Sequence, residues 1–183
     1  PRFYRGGREW AGGRPGAHAP LAPNQHQVEE AGLRLAVIED NPPMDAIRLG
    51  LPGRDEELAA VCTLIRNMGA LGIPVWCYNW AAVFGWLRTE FQVPIRGGAQ
   101  ASGFDQTRLA DIPPPATGTV EAERLWETLG WFLERVAPVA EEAGVTLAMH
   151  PDDPPVPSIR GVARIMTSVE AFDRLLELHP SPA

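Results

Sequence analysis

The feature of this chain best suited to chemistry is a histidine that closes an apolar run and is followed almost at once by two carboxylates. The segment reads Met149-His150-Pro151-Asp152-Asp153-Pro154-Pro155. A neutral imidazole at a strand end is a good ligand for Mn²⁺, Fe²⁺ or Zn²⁺; it can equally be a histidine satisfied by hydrogen bonds in a turn. Asp152 and Asp153 could bind metal, orient the imidazole or move a proton. Their bland alternative is Asx-turn chemistry ahead of Pro154. Two other segments end in polar groups of similar kind, Ile38-Glu39-Asp40-Asn41 and Cys77-Tyr78-Asn79-Trp80. Tyr78 and Asn79 could hydrogen-bond substrate hydroxyls, although strand alternation lets only one of them point the same way as the histidine. Arg88 could grip a substrate carboxylate, because its fork matches two oxygens. Arg96 reads as a solvated loop arginine, Trp76, Trp80 and Trp86 as packing, and Cys77 as an inert core thiol.

These residues need a scaffold, and hydrophobic spacing supplies one. Apolar runs at 33–38, 73–79 and 145–149 lack alternation, as strands buried on both faces do. Helices are expected over 55–70, 120–142 and 168–178, where apolar residues recur every three or four positions. Asp55, Thr119 and Ser168 are their candidate N-caps, Gly72 a stop for the first, and Pro138 a kink or break near the end of the second. Strands alternating with helices predict a parallel α/β sheet with right-handed crossovers. Three such units do not by themselves distinguish a barrel from an open doubly wound sheet. Residues 81–118 read as a long Gly/Pro-rich loop, and a loop of that length is usually functional or disordered. Residues 1–27 form an irregular, non-native or disordered terminus in this reading, ahead of one domain over 28–183.

Bulk properties narrow the function. The net charge is -7, from 16 basic and 23 acidic residues, so nucleic acid is not an expected partner. Acidic excess also disfavours long-range capture of an anion, so an acidic substrate would need a metal or placed arginines. Cys62 and Cys77 are the chain's two cysteines and form no CxxC pair, which points to a reducing cytoplasm. Neither an apolar membrane-spanning run nor a signal core is present. No GxGxxG or GxxxxGK[ST] follows a strand, which argues against dinucleotide and P-loop sites.

The strand-end residues also carry a family resemblance. Cys77-Tyr78-Asn79-Trp80 running to Trp86-Leu87-Arg88-Thr89 resembles the CYNF…DWTRT signature of mannonate dehydratases. Ala148 to Pro155, followed by Ile159-Arg160-Gly161-Val162-Ala163-Arg164-Ile165, is similar to that family's HPDDPP…GxxRI signature. The resemblance covers about residues 28–183. It implies a xylose-isomerase-like (β/α)₈ barrel, present here in part, since a whole barrel takes about 250 residues. It also implies Mn²⁺- or Fe²⁺-dependent dehydration of D-mannonate to 2-keto-3-deoxygluconate in hexuronate breakdown, with His150 as a metal ligand. Asp152 and Asp153 then become the catalytic candidates, and Tyr78, Asn79 and Arg88 the substrate-binding ones. The family's remaining ligands, a cysteine, a histidine and an aspartate on later strands, are expected beyond residue 183, so the 183 residues alone are expected to be inactive. The full-length parent could be a homo-oligomer. The competing readings are a sugar isomerase or epimerase on the same barrel and a non-catalytic remnant.

Overall fold

A computed structural model describes residues 18–109 and 112–183. The chain folds as an α/β unit around a three-stranded parallel sheet. Its elements, in chain order, are α1 (His18–Glu30), β1 (Val37–Glu39), α2 (Asp45–Leu49), α3 (Arg54–Ala70), β2 (Val75–Tyr78), β3 (Glu90–Pro94), β4 (Gln100–Gly103), α4 (Ala122–Ala143), β5 (Thr146–Met149), β6 (Ser158–Ile159), β7 (Val162–Ala163) and α5 (Val169–Leu178). The sheet order is β1-β2-β5. In register, Val37, Val75 and Thr146 lie in one row, Ile38, Trp76 and Leu147 in the next, then Glu39, Cys77 and Ala148.

Because side chains alternate, each row faces opposite to its neighbours. Trp76 and Tyr78 face the helices and are buried. There Phe132 of α4 meets the rings of Trp76, Tyr78 and Trp80 at centroid distances of 6.5, 5.8 and 5.1 Å. The indole N–H groups do not go to waste in this core: Trp76 donates to the Asp40 carbonyl at 2.8 Å and Trp80 to the Leu125 carbonyl at 3.0 Å. The amphipathic faces of α3 and α4 complete the core with Leu64, Ile65, Met68, Leu125, Leu129 and Val136. Their close approach requires Gly69, since a Cβ there would lie 2.4 Å from the Ala143 carbonyl oxygen.

Several boundaries differ from the sequence reading. The first strand is Val37–Glu39 rather than 33–38. The other two run Val75–Tyr78 and Thr146–Met149, inside the expected 73–79 and 145–149. Helix α3 begins at Arg54 behind Gly53, whose φ of +93° turns the chain, so Asp55 sits in the first turn and interacts with the dipole there instead of capping. Thr119 likewise is not the cap of α4; Glu121 holds that position without a side-chain hydrogen bond. Pro138 does not end α4, which continues to Ala143 and closes on Gly144 in the left-handed conformation. The Ser168 hydroxyl does cap α5, accepting from the Ala171 N–H at 3.3 Å.

Two corrections are larger. Part of the supposedly irregular terminus, from His18 to Gln27, lies in α1; Leu21 reaches the core, and the Gln25 amide donates to the Leu71 carbonyl at 3.0 Å. The rest of that terminus, residues 1–17, lies outside the described residues. The long loop 81–118 contains an antiparallel hairpin, β3–β4, with a register irregularity between Glu90 and Val93. Its alternation is masked because Phe91 and Ile95 stay exposed, so no buried stripe marks the strands.

Candidate functional site

The site lies where β2 and β5 end. The ladder continues one step past both strands, with the His150 N–H donating to the Tyr78 carbonyl at 2.7 Å. This brings Asn79 and His150 side by side and puts His150 in the alternation of Thr146 and Ala148, away from the helices. Its Nε2 lies 3.9 Å from a carboxylate oxygen of Glu39, the last residue of β1. Its Nδ1 lies 2.6 Å from the Pro151 carbonyl oxygen. A carbonyl can only accept, so Nδ1 is the donor of this contact. The other ring nitrogen, Nε2, is the one turned toward Glu39 on the face of the sheet away from the helices. The Trp86 ring, half-exposed, stands at 5.8 Å from the imidazole.

Cys77 shares this face, and burial, with the Glu39 charge next, pushes its thiol pKa up, so it stays a neutral thiol. Among the described residues, no three His, Cys, Asp or Glu side chains are grouped to hold a metal ion. His150 fits the role of one ligand, and a complete metal site is not built from these residues alone.

The two candidate carboxylates separate sharply. Asp152 is buried: one oxygen accepts from Arg164 Nη1 at 2.9 Å, the other from the Met166 N–H at 2.8 Å, with both charged side chains 1% exposed. Arg164 also donates to the carbonyls of Phe84 and Gly85 at 3.0 and 2.8 Å. The pair therefore pins the loop after β2 to the loop after β5. In the first of these, Val83 adopts a φ of +63°, a strained value for a β-branched residue. Asp153, next in sequence, lies at the rim with 40% of its side chain exposed and takes both arms of the Arg88 fork. Arg88 also donates to the Ser102 hydroxyl of β4 at 3.3 Å, tying the hairpin to the rim. The Asp153–Pro154 peptide bond is cis.

Of the residues expected to touch substrate, Asn79 is at the end of β2, next to the Tyr78 carbonyl that pairs with His150. Arg88 has its fork engaged by Asp153, three residues past His150. Tyr78 is on the other face, its ring stacked at 4.9 Å on Trp76 and its phenol pKa raised by burial. Sequence reasoning missed Arg48 and Arg164. Arg48 is buried on α2, and donates through Nη2 to the backbone carbonyl of Asn79 at 2.9 Å and to its side-chain oxygen at 3.2 Å. Nothing in the spacing around Arg48 marks it. Arg164 lies within the GxxRI segment, which gave its position without its role.

The D-mannonate dehydratase (UxuA) family matches residues 16–117 and 115–183. The mannonate dehydratase of Streptococcus pneumoniae is 39% identical over 181 residues, 86% of this chain and 49% of its own. That of Thermotoga neapolitana is 36% identical over 186 residues, 85% of this chain and 51% of its own. The crystal structure of mannonate dehydratase from Streptococcus suis serotype 2 superposes with a TM-score of 0.83 at 40% identity, covering 90% of this chain and 48% of that one. The chain spans about half the length of these relatives, and within that span it belongs to the D-mannonate dehydratase family.

Proposed function

We propose that these residues form one arc of a (β/α)₈ barrel and supply the His150 part of a site that dehydrates D-mannonate. The observation that carries this reading is the His150 imidazole itself. It directly follows a parallel strand, faces away from the helices, turns Nδ1 to the Pro151 carbonyl and presents Nε2 beside Glu39. In barrels of this class, chemistry sits at the C-terminal ends of the strands. A divalent ion, Mn²⁺ or Fe²⁺ in this reading, would supply the charge that stabilises the enolate-like oxygen formed when a proton leaves the carbon next to a carboxylate. This chain's residues do the surrounding work. Asn79 offers a polar contact to substrate oxygens. Arg88 and Asp153 form a charged rim, and the Asp152–Arg164 pair keeps the two loops in register. Trp86 walls one side of the imidazole.

Support for D-mannonate as substrate comes from the relatives' names and the family match; a neutral ketose finds no comparable support. The test joins residues 1–183 to the second half of the Streptococcus suis relative. The fused protein with Mn²⁺ should convert D-mannonate to 2-keto-3-deoxygluconate, the His150→Ala version should lose that turnover, and residues 1–183 alone should show none. Turnover by the fusion unaffected by His150→Ala would overturn the assignment.

A further inference from the structure

The side-chain oxygen of Asn79 accepts two hydrogen bonds, from Arg48 Nη2 at 3.2 Å and from the Ala81 N–H at 3.2 Å. Both partners are donors only. A guanidinium has no acceptor and a backbone N–H can only donate, so the atom between them must be oxygen. The orientation of the amide follows from that chemistry. Its NH₂ is left on the other side, at a half-buried residue beside His150 at the mouth.

The Arg48 guanidinium divides between Asn79 and Asp45, and its buried Nε has no hydrogen-bond partner among the described residues. The side chain is 8% exposed and faces Asp45 at 3.4 Å. The same Nη2 holds the Asn79 carbonyl, so one nitrogen fixes both the backbone and the side chain of this residue. Its own backbone carbonyl accepts from the buried Thr128 hydroxyl of α4 at 2.8 Å, which locks the base of the arginine to the helix layer. A buried, charged fork held at both ends keeps a neighbouring amide from rotating at small further entropic cost.

From this geometry we infer that Arg48 is a positioning residue that fixes Asn79 as a donor at the strand-end mouth, so that Asn79 recognises an oxygen acceptor, a carboxylate or a hydroxyl, on the substrate. The inference rests on the proposed sugar-acid site for its ligand but not for its geometry. It also assigns a polarity: groups that can only donate, such as an ammonium, are rejected at this position.

The test reads the Asn79 side-chain amide by ¹⁵N relaxation in the purified chain, with its resonance assigned through Asn79→Asp. In wild type its order parameter should approach the rigid backbone value of about 0.85, and in Arg48→Met it should fall below about 0.6 while backbone values elsewhere stay unchanged. Should Arg48→Met fail to fold, Arg48→Lys, which keeps a donor, should give an intermediate value. An equally ordered amide in wild type and variant overturns the positioning role, whether or not substrate binds. Titrating D-mannonate and, separately, D-mannitol into the fusion described above then identifies the acceptor. A shift of the amide with D-mannonate alone indicates the carboxylate, and a shift with both indicates a hydroxyl. Shifts at His150 without any at the Asn79 amide would overturn donation to substrate while leaving the mannonate reading intact.

Discussion

The two faces of the β1-β2-β5 sheet differ in both residues and surroundings. On the helix side, Trp76 is 0% and Tyr78 2% exposed, wedged against Phe132. On the other side, Val37 is 46% exposed, and Val75 and Cys77 are only partly covered. The polar groups with chemistry, Glu39 and His150, belong to the second face. The contrast teaches that stability and function are divided by strand alternation: odd and even positions of the same four-residue strand answer to different constraints.

Removing Phe132 should break the comparison most severely. Phe132→Ala takes the ring that three other aromatics share, and should cost about 3–5 kcal/mol, read as a lowered denaturant midpoint. Loss of the Asp152 carboxylate comes next. Asp152→Ala leaves Arg164 buried and uncompensated and frees the strained turn at Val83, for a cost of about 3 kcal/mol. The double variant with Arg164→Met should recover part of that loss, which a role of Asp152 in proton transfer alone would not predict.

A smaller effect should appear only in alkali. Burial raises the Tyr78 phenol pKa above its ordinary 10.0, and burial likewise raises those of Cys62 and Cys77 above 9.0. A raised folded-state value means that the unfolded chain loses its protons first. The stabilisation is therefore complete below pH 9 to 10 and declines as pH rises toward the folded values, for Tyr78 by about 1.4 kcal/mol per pH unit above 10. Urea midpoints at pH 8 and pH 11 should converge more closely in Tyr78→Phe than in wild type; an unchanged gap would mean that the phenol is accessible. The smallest effect belongs to the open face, where Val37→Thr should change stability by no more than about 0.5 kcal/mol.

How much of this was legible in the sequence depends on which face a residue serves. The α/β order and the parallel sheet followed from apolar runs alternating with amphipathic helices, because burial against α3 and α4 imposes that spacing. Proximity of Asn79 to His150 followed from the two strand ends. What escaped was polar and non-local. Arg48 lies 31 residues from Asn79, and Arg164 lies 12 from Asp152 and about 80 from the carbonyls it holds. No periodicity encodes such hydrogen bonds. The hairpin Glu90–Pro94/Gln100–Gly103 escaped because its apolar residues are exposed, and α1 because Pro23 and the surrounding prolines and alanines imitate an irregular segment. Asp152 and Asp153 look equivalent in sequence, yet only folding shows that one is a buried clamp and the other a rim group paired with Arg88.

The most direct measurement is Mn²⁺ affinity of the fused protein, followed by the loss of the free-ion paramagnetic resonance signal, for wild type and His150→Ala. With the imidazole supplying its Nε2 lone pair to the ion, the variant should bind at least about tenfold more weakly, since even indirect supports of metal ligands are worth that much. Equal affinity in the two proteins would contradict the account, because the histidine at the end of β5 would then be a neighbour of the ion and not its ligand.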